Sequence, residues 1–129
     1  MAYRTVYIVS KDPAVRDSLA ELAGSAGLRT ESLPSMDAWL EIAGPEPRGC
    51  LVLDIYPDDL VDPRRRARFA ATCARIPVLV LTDRGDVTTA VQAIKQGAVD
   101  VLTKPVRGLN VLERIERAVA GKDCGGATH

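Results

Sequence analysis

Five short apolar runs, beginning near positions 5, 29, 50, 77 and 99, are separated by segments whose apolar residues mostly recur at helical spacing. Strands that alternate with helices connect through right-handed crossovers, which set the strands parallel and cover both faces of the sheet. The third and fourth runs, Cys50–Leu53 and Val78–Leu81, are apolar at every position, as strands buried from both sides must be. Thr5–Val9, Arg29–Leu33 and Val99–Thr103 complete the set. In a parallel sheet the carboxyl ends of the strands open on a common crevice, where such folds place their chemistry. Four of the runs end usefully: Ser10-Lys11-Asp12 follows the first, Asp54 the third, Thr82 the fourth and Lys104-Pro105 the fifth.

The intervening segments carry helix start and stop signals. Asp12-Pro13 reads as an N-cap followed by proline at the first helical position, and Gly27 as the closing glycine. Ser35 caps a short helix with Met36, Trp39, Leu40 and Ala43 on its apolar side, which Gly44-Pro45 breaks. Tyr56-Pro57-Asp58-Asp59 reads as a turn, and Asp62-Pro63 as the start of a third helix reaching Ala74, with Phe69 and Cys73 toward the core. Asp86 caps a fourth helix whose apolar side, Val87, Ala90, Val91, Ile94 and Ala98, is expected to be mostly core. Leu109, Leu112, Ile115 and Val119 mark a fifth. The expected division is one domain over residues 1–120 and a flexible tail or linker start over 121–129.

Bulk properties exclude several functions. Seventeen bases balance seventeen acids, which removes a global electrostatic drive toward nucleic acid or membrane surfaces. No apolar run approaches the length that spans a bilayer, and the amino terminus lacks the flanks of a signal peptide. Cys50, Cys73 and Cys124 form no Cys-x-x-Cys pair, which suits apolar filler in a reducing cytoplasm. The only histidine is the terminal His129, so neither a zinc site nor a histidine base is expected. Arg64, Arg65, Arg66 and Arg68 read as a solvated helix face rather than a phosphate-tracking stripe.

The segment 7–22 (YIVSKDPAVRDSLAEL), the LVLD at 51–54 and the stretch 78–105 (VLVLTDRGDVTTAVQAIKQGAVDVLTKP) resemble a response-regulator receiver domain of the FixJ/NarL type. The resemblance implies a flavodoxin-like (βα)5 doubly wound parallel sheet with strand order 2-1-3-4-5. It places Asp54 at the position that accepts a phosphoryl group from a sensor histidine kinase. Thr82 and Lys104 fall on the hydroxyl and the lysine that bind phosphoryl oxygens, and Lys104-Pro105 on a cis peptide. Thr82 with the fifth-strand residue Val101 falls on the activation switch, and helix four, strand five and helix five on the face used for homodimers or output-domain contacts. These implications describe a non-enzymatic cytoplasmic signalling domain, active in transcription regulation without touching nucleic acid itself.

The departures from that pattern matter as much. The acid pair that holds Mg²⁺ in the family falls on Ser10 and Lys11, with Asp12 reading as a cap. No metal is therefore expected at Ser10, Lys11 and Asp12, and Mg²⁺ only if this degenerate site retains it. Lys11 is expected against Asp54 as an internal cation. The loop after Asp54 reaches proline one residue early, at Pro57, and Val101 stands where the family has an aromatic that swings inward. The reading is an atypical receiver with impaired Mg²⁺-dependent phosphorylation at Asp54. The alternative is a flavodoxin-like module in which Lys11, Lys104 and Thr82 hold a small carboxylate or phosphate ligand.

Overall fold

The computed structural model describes residues 5–106 and 108–124. Eleven elements follow one another: β1 (Thr5–Val9), α1 (Pro13–Ser25), β2 (Arg29–Leu33), α2 (Met36–Ala43), β3 (Gly49–Asp54), α3 (Pro57–Val61), α4 (Pro63–Cys73), β4 (Val78–Thr82), α5 (Val87–Gln96), β5 (Asp100–Thr103) and α6 (Gly108–Cys124). The five strands form one parallel sheet in the order β2-β1-β3-β4-β5. This is the flavodoxin-like doubly wound arrangement.

The period of two along each strand sorts the core into two layers. Val6 and Ile8 of β1, Cys50 and Val52 of β3, and Leu79 and Leu81 of β4 face one way, where Leu19 of α1 and Val111 and Ile115 of α6 cover them. Val9, Leu51, Leu53, Val78 and Val80 face the other way and meet Trp39 of α2, Phe69 of α4 and Ala93 of α5. Trp39 is fully buried, with Tyr7 edge-on at 5.8 Å between ring centroids and the Arg75 guanidinium 5.7 Å from its own.

The helix ends obey local chemistry. Asp12 accepts from the Ala14 amide at 2.9 Å, Ser35 from Ala38 at 3.1 Å, Asp62 from Arg65 at 3.0 Å and Asp86 from Thr89 at 3.3 Å. Gly97 ends α5 in the left-handed region at φ +120°.

Three expectations are corrected. Residues 57–61 are a short helix rather than a plain turn: the Asp59 carboxylate accepts from the Tyr56 amide at 2.8 Å, and Pro57 supplies a preset first helical residue. On α2, Trp39 is the buried residue and Leu40 reaches solvent. On α5 the side turned inward is Thr89 and Ala93, while Val87, Val91 and Ile94 lie outward at 67%, 45% and 48% exposure. α6 runs from Gly108 through Cys124. The rest of the expected tail, with His129, lies outside the described residues, as do the side chains of Leu109 and Cys124.

Gly49 is the tightest backbone position. It pairs with Thr5 across β1 and β3 at φ +115°, and an added Cβ would collide with the Thr5 carbonyl oxygen and lie 2.6 Å from its nitrogen. Gly85, at φ +90°, has open space around the same atom. Gly49→Ala is expected to cost ~3 kcal/mol or more by urea denaturation, from strain plus collision. Gly85→Ala should cost about 1 kcal/mol, from strain alone.

Candidate functional site

Parallel register brings the strand ends to one level. Val9 pairs with Leu53, Asp54 with Leu81 and Thr82 with Thr103, so Ser10, Asp54, Thr82 and Lys104 converge at the carboxyl edge of β1, β3, β4 and β5. The Asp54 side chain is wholly withdrawn from solvent. A carboxylate in such a place must be met by donors or by opposite charge. Both are present. Lys104 Nζ lies 2.6 Å from Oδ1, which has no other partner among the described residues. Oδ2 accepts from Ser10 Oγ at 2.7 Å and from the Tyr56 hydroxyl at 3.1 Å. Ser10 is itself fixed, because its hydroxyl oxygen accepts from the Asp12 amide at 3.0 Å and its carbonyl from Arg16 at 2.6 Å. The peptide between Lys104 and Pro105 is cis.

The cation on Asp54 is thus Lys104, and the expectation that Lys11 would sit there is corrected. Ser10 turns inward and is buried, its successor Lys11 turns outward and is exposed, and Asp12 is committed to capping α1. The Lys11 ammonium instead lies 4.4 Å from the centroid of the Tyr56 ring, and Lys104 Nζ lies 5.0 Å from the same centroid. Tyr56 is the functional residue that sequence reasoning missed. It was legible only as part of a turn, since nothing in its spacing signals that the hydroxyl reaches back to a carboxylate two positions earlier.

Thr82 is fully buried and its hydroxyl has no partner among the described residues. Val101 is half-buried in β5, with its carbonyl accepting from Arg114 at 3.0 Å. Asp83, an exposed loop acid, stands 3.6 Å from Lys104 Nζ. On α4, Arg65 and Arg68 pair with Asp59 at 3.9 Å and Asp37 at 2.7 Å. Beside Asp54 a cavity of about 370 Å³ opens between α2 and α4, with Ser10, Lys11, Tyr56 and Arg68 among its walls.

Burial would lower the Lys104 ammonium, but the hydrogen bond and charge of Asp54 outweigh it and hold the group above its ordinary value. Burial, followed by the Asp54 charge and hydrogen bond, pushes the Tyr56 phenol up, with Lys104 pulling the other way. Burial alone raises Cys50 to about 12 and Cys73 to about 11, so neither thiol is a ready nucleophile.

The donor set does not fit a divalent cation. Ser10 presents a hydroxyl whose proton is directed at Asp54, Lys11 carries positive charge, and Asp12 Oδ1 is engaged by a backbone amide. Among the described residues no three His, Cys, Asp or Glu side chains are grouped to hold a metal ion.

Removing one partner of a buried pair leaves the other charge uncompensated. Lys104→Met should therefore cost about 3 kcal/mol in chemical denaturation, the low end for a pair whose lysine is 22% exposed. In an Asp54→Asn background the same change should cost about 1 kcal/mol. Equal costs in both backgrounds would show that the pair contributes nothing.

Comparison with known proteins places this geometry. Residues 6–116 match the family model described as response regulator receiver domain. Response regulator protein TmoT of Ectopseudomonas mendocina is 36% identical over 114 residues, covering 88% of this chain and 52% of the relative. Transcriptional regulatory protein FixJ of Azorhizobium caulinodans is 36% identical over 117 residues, covering 91% and 55%. The chain spans about half the length of these curated relatives. Among solved structures, FixJ-N superposes with a TM-score of 0.77 at 35% identity, over 93% of this chain and 96% of that one. Full-length FixJ from B. japonicum superposes with a TM-score of 0.80 at 31% identity, over 98% and 63%. With its fold, its strand-end site and its sequence in agreement, the chain belongs to the response regulator receiver domain family of two-component signalling.

Proposed function

We infer that this is an atypical receiver in which Asp54 is the phosphoacceptor position and Mg²⁺-dependent phosphorylation is impaired. The observation that carries the reading is the Lys104–Asp54 contact beside the buried hydroxyl of Thr82, which has no partner among the described residues. A phosphoryl group on Asp54 would bring three acceptor oxygens to a lysine and a hydroxyl donor, the pairing that charge-assisted hydrogen bonding favours. Impairment follows from Ser10 and Lys11. Where a pair of acids would leave negative charge for a dication to neutralise, this site is already balanced by Lys104 and two hydroxyl donors. Thr82 and Val101 are the switch positions of this reading, with valine offering no ring to rearrange.

In the same proposal the domain works in the cytoplasm, over about residues 1–120, as a non-enzymatic signalling module receiving from a sensor histidine kinase. No helix among the described residues is long and apolar enough to cross a membrane. The partner surface is the α5-β5-α6 face. Val87, Val91 and Ile94 recur there at helical spacing, and Val99 adds to them at 55% exposure. Such an outward apolar stripe supports a homodimer or an output-domain contact.

Acetyl phosphate with and without Mg²⁺, followed by intact mass, tests the acceptor. The wild-type protein should gain little phosphoryl adduct and show no Mg²⁺ dependence. Ser10→Asp with Lys11→Asp should gain a Mg²⁺-dependent adduct that disappears when Asp54→Asn is added. A Mg²⁺-dependent adduct on the wild-type chain would sink the impairment claim. No adduct on any variant would remove Asp54 as acceptor.

Analytical ultracentrifugation tests the surface. The wild-type protein is expected to self-associate, and Ile94→Glu to weaken that association by about tenfold or more, the equivalent of one apolar side chain no longer buried. A wild-type protein that stays monomeric at every concentration leaves only the output-domain contact.

A further inference from the structure

We propose that Tyr56 is a gate over Asp54, held shut by Lys11, and that it sets how readily phosphoryl donors reach the carboxylate. The inference rests on Asp54 as acceptor and adds the residue that controls access to it.

Three observations converge. First, Asp54 is closed off: its side chain is wholly buried, and of its two oxygens only Oδ2 is free of Lys104. That oxygen is met by Ser10 Oγ at 2.7 Å and by the Tyr56 hydroxyl at 3.1 Å; Ser10 is fixed at the end of β1, so the phenol is the contact that can move. A carboxylate oxygen that attacks phosphorus needs an unobstructed approach in line with the leaving group, and the phenol stands on it. Second, the hold on the ring is local and weak. The hydroxyl contact, at 3.1 Å, is longer than the about 2.7–2.8 Å usual for such bonds. Cation–π attraction adds to it, with Lys11 at 4.4 Å and Lys104 at 5.0 Å from the ring centroid. Lys104 is committed to Asp54, whereas Lys11 is exposed and forms no ion pair among the described residues, so it is the cation with no second task. Third, the ring has somewhere to go. The Tyr56 backbone is anchored by the Asp59 cap and by Pro57, so rotation about the side-chain torsions moves the ring without unwinding α3. The cavity of about 370 Å³ beside it, walled by Tyr56 itself and by Asp54, is large enough to receive a phenol.

With the gate open, the chemistry with an acyl phosphate balances simply. Asp54 Oδ2 forms a bond to phosphorus, the bond from phosphorus to the bridging acyl oxygen breaks, and the carboxylate of the donor leaves with that electron pair. Lys11 thereby acquires a role different from a metal substitute. It clamps the ring that covers the acceptor, and a partner carboxylate that captured Lys11 would release the ring.

Two readouts separate the gate from the acceptor reading. The first is labelling of the Asp54 carboxyl by a water-soluble carbodiimide and an amine at fixed pH, mapped by peptide mass. It reports access whether or not phosphoryl transfer occurs. Tyr56→Ala should raise the labelling rate by about tenfold, the equivalent of one hydrogen bond to a charged acceptor. Tyr56→Phe, which keeps the ring and its clamp, should fall between Tyr56→Ala and the wild-type protein. Lys11→Ala should rise as well, while Lys11→Arg, which keeps the cation, should not. The fluorescence of Trp39, the sole tryptophan and fully buried, confirms that each variant is folded. The second readout is the rate of acetyl phosphate incorporation in the same set. Labelling unchanged in folded Tyr56→Ala and Tyr56→Phe overturns the gate and leaves Asp54 as acceptor untouched. Labelling that rises with no phosphoryl uptake in any variant establishes Tyr56 as the cover of Asp54 and removes the acceptor reading instead. A parallel rise in both supports the two together.

Discussion

A carboxylate buried at the end of β3 demands donors, and the donors come from distant parts of the chain. Asp54 draws Lys104 from the end of β5, Ser10 from the end of β1 and Tyr56 from the loop that follows its own strand. An isolated charge withdrawn from water is among the costliest events in folding, so the site exists only while these strand ends stand level. The topology supplies that levelling. Parallel pairing of β1 with β3, β3 with β4, and β4 with β5 sets every carboxyl end on one edge. The tight approach of Gly49 to Thr5 fixes the opposite end of the β1-β3 pair. Site and sheet are thus one constraint seen from two ends.

In the reading proposed above, the charge inventory accounts for a pocket around Asp54 that has no further pair of acids facing it. Acidic neighbours of an acceptor carboxylate repel it and one another, and a dication relieves the repulsion. Here the inner shell holds one acid and one lysine, with hydroxyls from Ser10 and Tyr56 on the second oxygen. Nothing in that set calls for further positive charge. Lys11 contributes at one remove, through the face of Tyr56. The exposure of Lys11 and the burial of Ser10 are one fact, since adjacent residues leaving a strand point to opposite sides.

What could be read beforehand divides along physical lines. Buried strands announce themselves by uninterrupted apolar runs, and caps by short polar side chains just ahead of a helical apolar pattern, with proline next at Asp12 and Asp62. So β3, β4, the Asp12, Ser35, Asp62 and Asp86 caps and the convergence of Asp54 and Lys104 were legible. Receiver resemblance added the strand order and the cis peptide at Lys104. Side-chain direction was not legible. Whether Lys11 or Lys104 meets Asp54 depends on torsions at the end of β1, and the Tyr56 contact depends on a helical turn nucleated by Asp59 and Pro57 in a segment too short to show periodicity.

α5 shows the same limit on a larger scale, and what it means is functional. Periodicity reveals that a helix has an apolar stripe without revealing which stripe meets the sheet when the sequence offers two. One holds Val87, Val91 and Ile94; the other holds Thr89 and Ala93. Burying each large aliphatic side chain would contribute about 1.5–3 kcal/mol, so a helix serving only its own core would turn the first stripe inward. α5 does the reverse. Ala93 packs in the core among β-strand valines, and the larger residues are left in water, as is Val99. Small inward residues let the helix lie close to β4 and β5, which accounts for the inward choice. They do not account for aliphatic rather than polar residues on the outer side, where Lys or Glu would be more soluble and equally helical. The outer stripe has an energetic reason to be apolar only when another surface covers it. That stripe is what the proposed partner contact would cover, and the position of α5 next to β5 would set such a partner beside the strand that carries Val101 and leads into Lys104.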